Sequence, residues 1–211
     1  MRSGVITMGT TELRSTIQKR RERLSVVAAA LLMSLALGCA SSKKSGPYAT
    51  PSPQTRNPIR AQELNAEAVK VLATDLDAAE HLLRDALTED LYCGPAHNNL
   101  GVVYLKRDRL YEAANELEWA KKLMPGHPDP RLNLGLVFEK AVRTEDALGA
   151  YASALEIYSD HIASKQALAR AQIRYSREDT RTYGLLEDIA MGGDSLAWRD
   201  WARKELQKRE R

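Results

Sequence analysis

The 211-residue sequence predicts an all-α fold: a short helical solenoid of about four helix pairs plus a C-terminal capping helix, entered through a segment that is not part of the folded body. Three observations predict it. A stretch of the chain repeats itself at an interval of 34 residues, the length of two short helices and their turns. Ala, Leu, Glu, Lys and Arg dominate, with a single Phe and no β-branched runs, which favours helix over strand. The first fifth of the chain has the composition of a leader and a tether rather than of a core.

Taken in order, residues 1–38 read as a secretory signal peptide. Lys19-Arg20-Arg21-Glu22-Arg23 precede an apolar run over residues 24–37, the order in which such leaders are built. About 14 apolar residues fall short of the ~20 that a permanent span needs. The run Leu35-Ala36-Leu37-Gly38-Cys39 resembles the lipobox of bacterial lipoproteins, with Ala36 where the pattern has Leu. That resemblance implies that Cys39 becomes the first residue of the mature chain, carrying a diacylglycerol thioether and usually an N-acyl chain. The membrane is then a partner through the N-terminal lipid, at ~0.8 kcal/mol for each buried CH₂. Ala40 and Ser41 lack the Asp that the same family associates with inner-membrane retention, so the expected address is the cell envelope, on the outer membrane of a Gram-negative cell. Met1 and Met8 both stand as starts ahead of this leader.

Residues 39–58 follow as the lipidated Cys and a flexible linker. They are rich in Ser, Pro and Thr, too poor in apolar surface to fold, and give a reach on the order of 25 Å. Residues 1–38 carry six Lys or Arg and two Asp or Glu, so the overall +3 belongs to the leader, and what remains holds 25 basic and 26 acidic residues. A nearly neutral mature chain has no global reason to seek nucleic acid. With Cys39 committed to lipid, Cys93, beside Gly94-Pro95, is expected as a free and inert thiol.

Residues 59–193 carry the repeats. Ala96-His97-Asn98-Asn99-Leu100-Gly101-Val102-Val103-Tyr104 matches Pro130-Arg131-Leu132-Asn133-Leu134-Gly135-Leu136-Val137-Phe138, and the offset persists through Ala113 and Ala147, Leu117 and Tyr151, Ala120 and Ala154. Mid-helix Gly costs ~1 kcal/mol against Ala, so Gly101 and Gly135 are expected where two helix backbones come close. Asp129 is expected to cap the helix that Pro130 opens. These residues, with Pro125 closing the first unit, resemble the tetratricopeptide repeat, which implies a stacked solenoid that binds proteins or peptides along its concave face and needs no cofactor.

Upstream, residues 64–68 and 75–87 form a similar pair whose turn aligns as about one residue shorter. Downstream, Ala167-Leu168-Ala169 begins a degenerate unit in which Arg181 and Asp188 replace small residues. Ser176 reads as a helix start and Gly192-Gly193 as its end. Residues 194–211 form the capping helix, with Ala197, Trp198, Trp201, Ala202 and Leu206 on one side.

Chemistry is sparse. His81, His97, His127 and His161 are scattered, without metal-ligand spacing, a phosphate loop or a nucleophile elbow, so neither enzyme, metal nor small-molecule substrate is expected. Binding is expected on the first helix of each repeat. There the offset aligns Asn99 with Asn133 and Ala167, Val102 with Leu136 and Arg170, and Lys106 with Lys140 and Arg174. The cations suit an acidic segment or a C-terminal carboxylate, and the Asn amides suit an extended peptide backbone. A cation near a helix C-terminus is also favoured by the macrodipole alone, by ~0.3–1 kcal/mol. Likewise, Trp119 reads as inter-helix packing. The carboxylate clamp of tetratricopeptide co-chaperones is not reproduced, because Asn65, Val69, Asp129 and Asn133 stand where its other groups belong. The sequence therefore points to an anchored protein-binding adaptor of the bacterial envelope, with a pilotin-like assembly factor for a secretin and an accessory subunit of a cell-wall hydrolase as alternatives.

Overall fold

A computed structural model describes residues 56–209. The leader, Cys39 and nearly all of the tether lie outside the described residues. Nine helices and no strand occur among the described residues: α1 (Pro58–Val71), α2 (Leu76–Glu89), α3 (Gly94–Lys106), α4 (Leu110–Leu123), α5 (Asp129–Lys140), α6 (Thr144–Ile157), α7 (Ile162–Arg174), α8 (Thr182–Gly192) and α9 (Leu196–Arg209). None is long and apolar enough to cross a membrane. Helices α2, α4 and α6 are each 14 residues long and begin at residues 76, 110 and 144, so the sequence offset is a physical period.

The first two helices start where their first-turn N–H groups find a side-chain acceptor. The Asn57 side chain accepts from the Arg60 N–H with Pro58 in the first turn, and Asp75 accepts from Asp77 and Ala78. Asp90, at the end of α2, is gripped by Arg56 at 2.8 Å, and that guanidinium holds its carboxyl below the usual carboxylate range. Three expectations about helix ends need correcting. Asp129 is itself the first residue of α5, with Pro128 in the capping position, and its carboxylate lies near His161 and His127 instead. Ser176 ends α7 rather than starting α8, which begins at Thr182, where the hydroxyl accepts from the Asp179 N–H. The first turn holds four residues, 72–75, one more than the three of the next two turns, because α1 ends without the left-handed closure of its successors.

That closure recurs at the same period. Asp108, Val142 and Ser176 all have positive φ, near 61°, 59° and 53°. Each lets the following N–H, of Arg109, Arg143 or Arg177, reach back to the carbonyl of Tyr104, Phe138 or Gln172. The first two arginines then lie over the ring of the same residue, at 4.4 Å on Tyr104 and 4.6 Å on Phe138. Asp108 and Ser176 tolerate the left-handed region, but β-branched Val142 does so at a cost of ~1–2 kcal/mol.

The packing faces are shallow, as their Ala content predicts: Ala79, Ala86, Ala113, Ala120, Ala147 and Ala154 are fully buried. What sits over the two glycines, however, is mainly a side chain. A Cβ at Gly101 would lie 2.6 Å from Leu117 Cγ and 3.3 Å from the Ala113 carbonyl oxygen, and one at Gly135 would enter the Tyr151 ring. The fourth unit departs from this scheme. Helix α8 packs more closely on α9 than on α7. Its link to α7 is polar: Lys165 Nζ donates to Asp188 at 2.6 Å, and the Thr182 hydroxyl donates to Gln172 at 3.0 Å. Helix α9, capped by Ser195, buries Ala202 and half-buries Trp198 and Trp201 edge to face at 5.2 Å, while Ala197 stays exposed.

Three outcomes are expected in urea titrations. Gly101→Ala and Gly135→Ala each lower stability by about 1–3 kcal/mol through overpacking, whereas Gly149→Ala, in an equally helical position with open space around it, raises stability by ~0.5–1 kcal/mol. Val142→Gly, at an 82% exposed position with no packing to lose, raises it by ~1 kcal/mol.

Candidate protein-binding face

The first helices of successive pairs, α1, α3, α5 and α7, touch one another, while the second helices approach their counterparts less closely. The first helices therefore take the inner side of the curve, where stacked pairs present a groove. Residues Asn99, Lys106, Asn133, Lys140, Arg170 and Arg174 all lie on these helices.

Toward their N-terminal halves the helices carry a chain of amides. Asn133 Nδ2 donates to Asn98 at 3.0 Å, Asn98 to Asn99 at 3.3 Å, and Asn99 to Asn65 at 2.8 Å. The row crosses three repeats, and Asn98 and Asn65, which the column alignment passes over, complete it. An amide has two donors and an acceptor with two lone pairs, so each member keeps capacity for a further partner.

The three cations of the last column occupy the final residues of α3, α5 and α7, where the macrodipole favours them, but their surroundings differ. Lys106 is exposed, with no partner among the described residues. Lys140 Nζ donates to Asp108 at 2.8 Å, tying α5 to the preceding turn. Arg174 shares a carboxylate with Arg170: Glu139 accepts from Arg174 at 2.8 Å and from Arg170 at 2.9 Å, and also from the Tyr151 hydroxyl at 2.8 Å. The Glu139 side chain is almost wholly buried. Burial, then the neighbouring carboxylate, push the Tyr151 hydroxyl upward, so it remains a donor.

Around this cluster α3, α5 and α7 enclose a hollow of about 400 Å³, with Leu105, Leu136 and Tyr175 as apolar walls and Lys140, Arg170 and Arg174 as its cations. Three of the six candidate residues thus share one hollow, while Asn99, Asn133 and Lys106 lie outside it. Glu139, Leu105 and Tyr175 were not among the candidates. A signal existed for the first: residues 105 and 173, one period either side of Glu139, are Leu and Ile, so a carboxylate interrupts an apolar column.

A second hollow, of about 690 Å³, lies on the opposite side against α2 and α4, with Tyr111 and Trp119 exposed in it. Behind Trp119 is His97, 1% exposed, its ring stacked on the indole at 5.9 Å. His97 Nε2 donates to the Leu91 carbonyl oxygen at 2.8 Å, and Nδ1 meets Glu116 Oε2 at 2.6 Å. Sequence spacing did not reveal this pair because its members sit on different helices, 19 residues apart. Trp119 packs as expected, and also faces solvent. Among the described residues no group of three or more His, Cys, Asp or Glu is placed to hold a metal ion. Cys93 is a buried free thiol whose titration burial pushes upward.

Neither a protein-family model nor a curated protein matches the chain. Solved structures do. PilF of Pseudomonas aeruginosa superposes with a TM-score of 0.62 at 22% identity over 74% of this chain and 69% of that one. The first tetratricopeptide domain of Spaghetti (RPAP3), bound to an HSP90 peptide, gives 0.54 at 15% identity over 58% of this chain and 98% of that one. The O-GlcNAc transferase of Thermobaculum terrenum gives 0.57 at 22% identity, over 69% of this chain but 26% of the enzyme. At these identities the likeness is one of fold: the described part of the chain is an all-α tetratricopeptide-type solenoid.

The His97–Glu116 pair yields a stability prediction. His97→Ala removes the imidazole from a buried carboxylate and the ring from beneath Trp119, and is expected to cost about 3–5 kcal/mol in urea unfolding. A double-mutant cycle with Glu116→Gln should return a coupling of ~0.5–3 kcal/mol. Additive losses would show that the two side chains act separately.

Proposed function

We propose that this protein is a lipid-anchored adaptor of the bacterial cell envelope that captures another protein on the inner face of its solenoid and carries out no catalysis. The observation that carries the reading is the inner face itself. It combines a row of amides able to meet an extended backbone with a hollow of apolar walls and cationic rim, which is the pairing of groups that peptide recognition needs. The fold shared with a domain solved in complex with a peptide supports it. The anchor rests on the sequence of residues 19–41, with Cys39 as the lipidated residue and residues 40–58 as reach. A pilotin-like role in assembling a pilus or secretion pore is the second reading, with which the fold-level likeness to PilF is compatible.

Crosslinking in intact cells, followed by mass spectrometry, tests the adaptor reading directly. A discrete envelope protein should be captured by the wild type and lost by about tenfold or more in Lys106→Glu/Lys140→Glu. Those positions are exposed, and the one ion pair they hold contributes only ~0–1 kcal/mol, so the helical circular dichroism should not change. Undiminished capture by a folded double variant would leave these two lysines as surface only. Secretin subunits among the captured proteins would select the second reading. Cys39→Ser should move the protein out of the membrane fraction, and unchanged fractionation would point to an uncleaved leader as the anchor.

A further inference from the structure

The inner face is the binding surface of the reading above, and the inference that follows rests on that reading. Among the described residues one buried side-chain polar atom has no hydrogen-bond partner, and it is Arg170 Nε. A buried N–H without an acceptor costs ~1–3 kcal/mol, and native proteins rarely leave one without a reason. Arg170 lines the hollow between α3, α5 and α7. Its Nη2 is already engaged by Glu139 at 2.9 Å, so the fork is oriented and half used. The guanidinium presents its donors in a fixed plane, and an Nε with a neighbouring Nη is the edge that takes a carboxylate side-on.

The charges around it agree. Lys140, Arg170 and Arg174 line the hollow with Glu139, whose single carboxylate is divided between two guanidinium groups, while Lys140 is paired with Asp108 outside it. The walls are apolar, supplied by Leu105, Leu136 and Tyr175. A ligand carboxylate entering there meets cations and apolar walls together, which rewards an apolar neighbour in the same segment. The amide row runs across the same face about 10 Å away, since Asn133 and Lys140 are seven residues apart on one helix at ~1.5 Å each. The apolar walls beside the cations suit an acidic side chain with an apolar neighbour in the same segment.

We infer that the hollow is a recognition pocket for an acidic side chain flanked by an apolar residue in an extended segment of the partner protein. Arg170 is its specificity-determining residue. Glu139 bridges the two arginines in the unbound state and so fixes where both lie. Arg174 and Lys140 add charge at the rim.

The test is an NMR titration of the ¹⁵N-labelled full chain in detergent solution. Three probes are used: acetyl-Ala-Leu-Glu-Leu-Ala-amide, its Gln isostere, and acetyl-Ala-Leu with a free carboxylate. The acidic peptide should shift the Arg170 Nε–H signal and the Leu136 and Tyr175 amides saturably, with Kd on the order of 1 mM or tighter. The Gln peptide should bind at least about tenfold more weakly, as should the acidic peptide to Arg170→Lys, which keeps the charge but loses the fork. The amide spectrum of that variant reports whether it is folded, and Glu139→Gln, which leaves Arg170 in place, should retain preference for Glu over Gln. Equal shifts from the Glu and Gln peptides, wild-type affinity in Arg170→Lys, or shifts confined to the Trp119 side would each overturn the inference. Stronger shifts from the free carboxylate would overturn the assignment to an internal acidic side chain. Crosslinking in cells separates this failure from that of the adaptor reading. Partner capture that persists without any peptide response removes the pocket and leaves the adaptor standing, whereas no capture by the wild type removes the adaptor itself.

Discussion

The structure depends on one steric arrangement in its two central helix pairs, the seating of a bulky side chain of the second helix against a glycine of the first. Gly101 receives Leu117 and Gly135 receives Tyr151, with no room for a Cβ at either place. The energetic cost of a mid-helix Gly, ~1 kcal/mol, is offset because the missing methyl lets the two helices close on a large apolar group. Once a pair is closed, its outer faces are fixed in orientation. The next pair can then stack on them through buried alanines, and the 34-residue period becomes a spatial period.

The same arrangement builds the candidate site. Tyr151, seated on Gly135, points its hydroxyl at Glu139, and Glu139 in turn holds Arg170 and Arg174 from the next repeat. A packing contact inside one helix pair therefore sets the position of charges that belong to its neighbour. In the preceding unit Leu117 has no hydroxyl and residue 105 is Leu, so no equivalent cluster forms there. The difference between Leu117 and Tyr151, interchangeable as core residues, goes with a shared carboxylate cluster at one repeat interface and none at the one before it.

The turns contribute a second periodic device. Left-handed closure at residues 108, 142 and 176 aims the following arginine backward, where it stacks on an aromatic ring or pairs with an acid of the adjoining unit. Exposed pairs of this kind add little to stability individually. Where the small-residue pattern stops, in the fourth unit, polar links take over and α9 covers what α8 leaves open.

Much of this was determined by the sequence alone. The 34-residue offset and the Gly and Ala positions specify helix pairs, their lengths and their order, because those properties depend on local propensity and on shapes that recur identically. The expectation of a leader, a tether and a lipidated Cys39 likewise rests on composition and local motif, in residues outside those described. The tertiary structure decided what periodicity cannot express. Lys106, Lys140 and Arg174 occupy equivalent positions in the repeat, yet they end as an exposed cation, a partner of Asp108 and half of a shared pair on Glu139. His97 met Glu116 across two helices, and Arg170 was left with a buried donor in a hollow. Each of these outcomes turns on which side chain of another helix lies within 3 Å, a distance that packing sets and that no spacing along one chain contains.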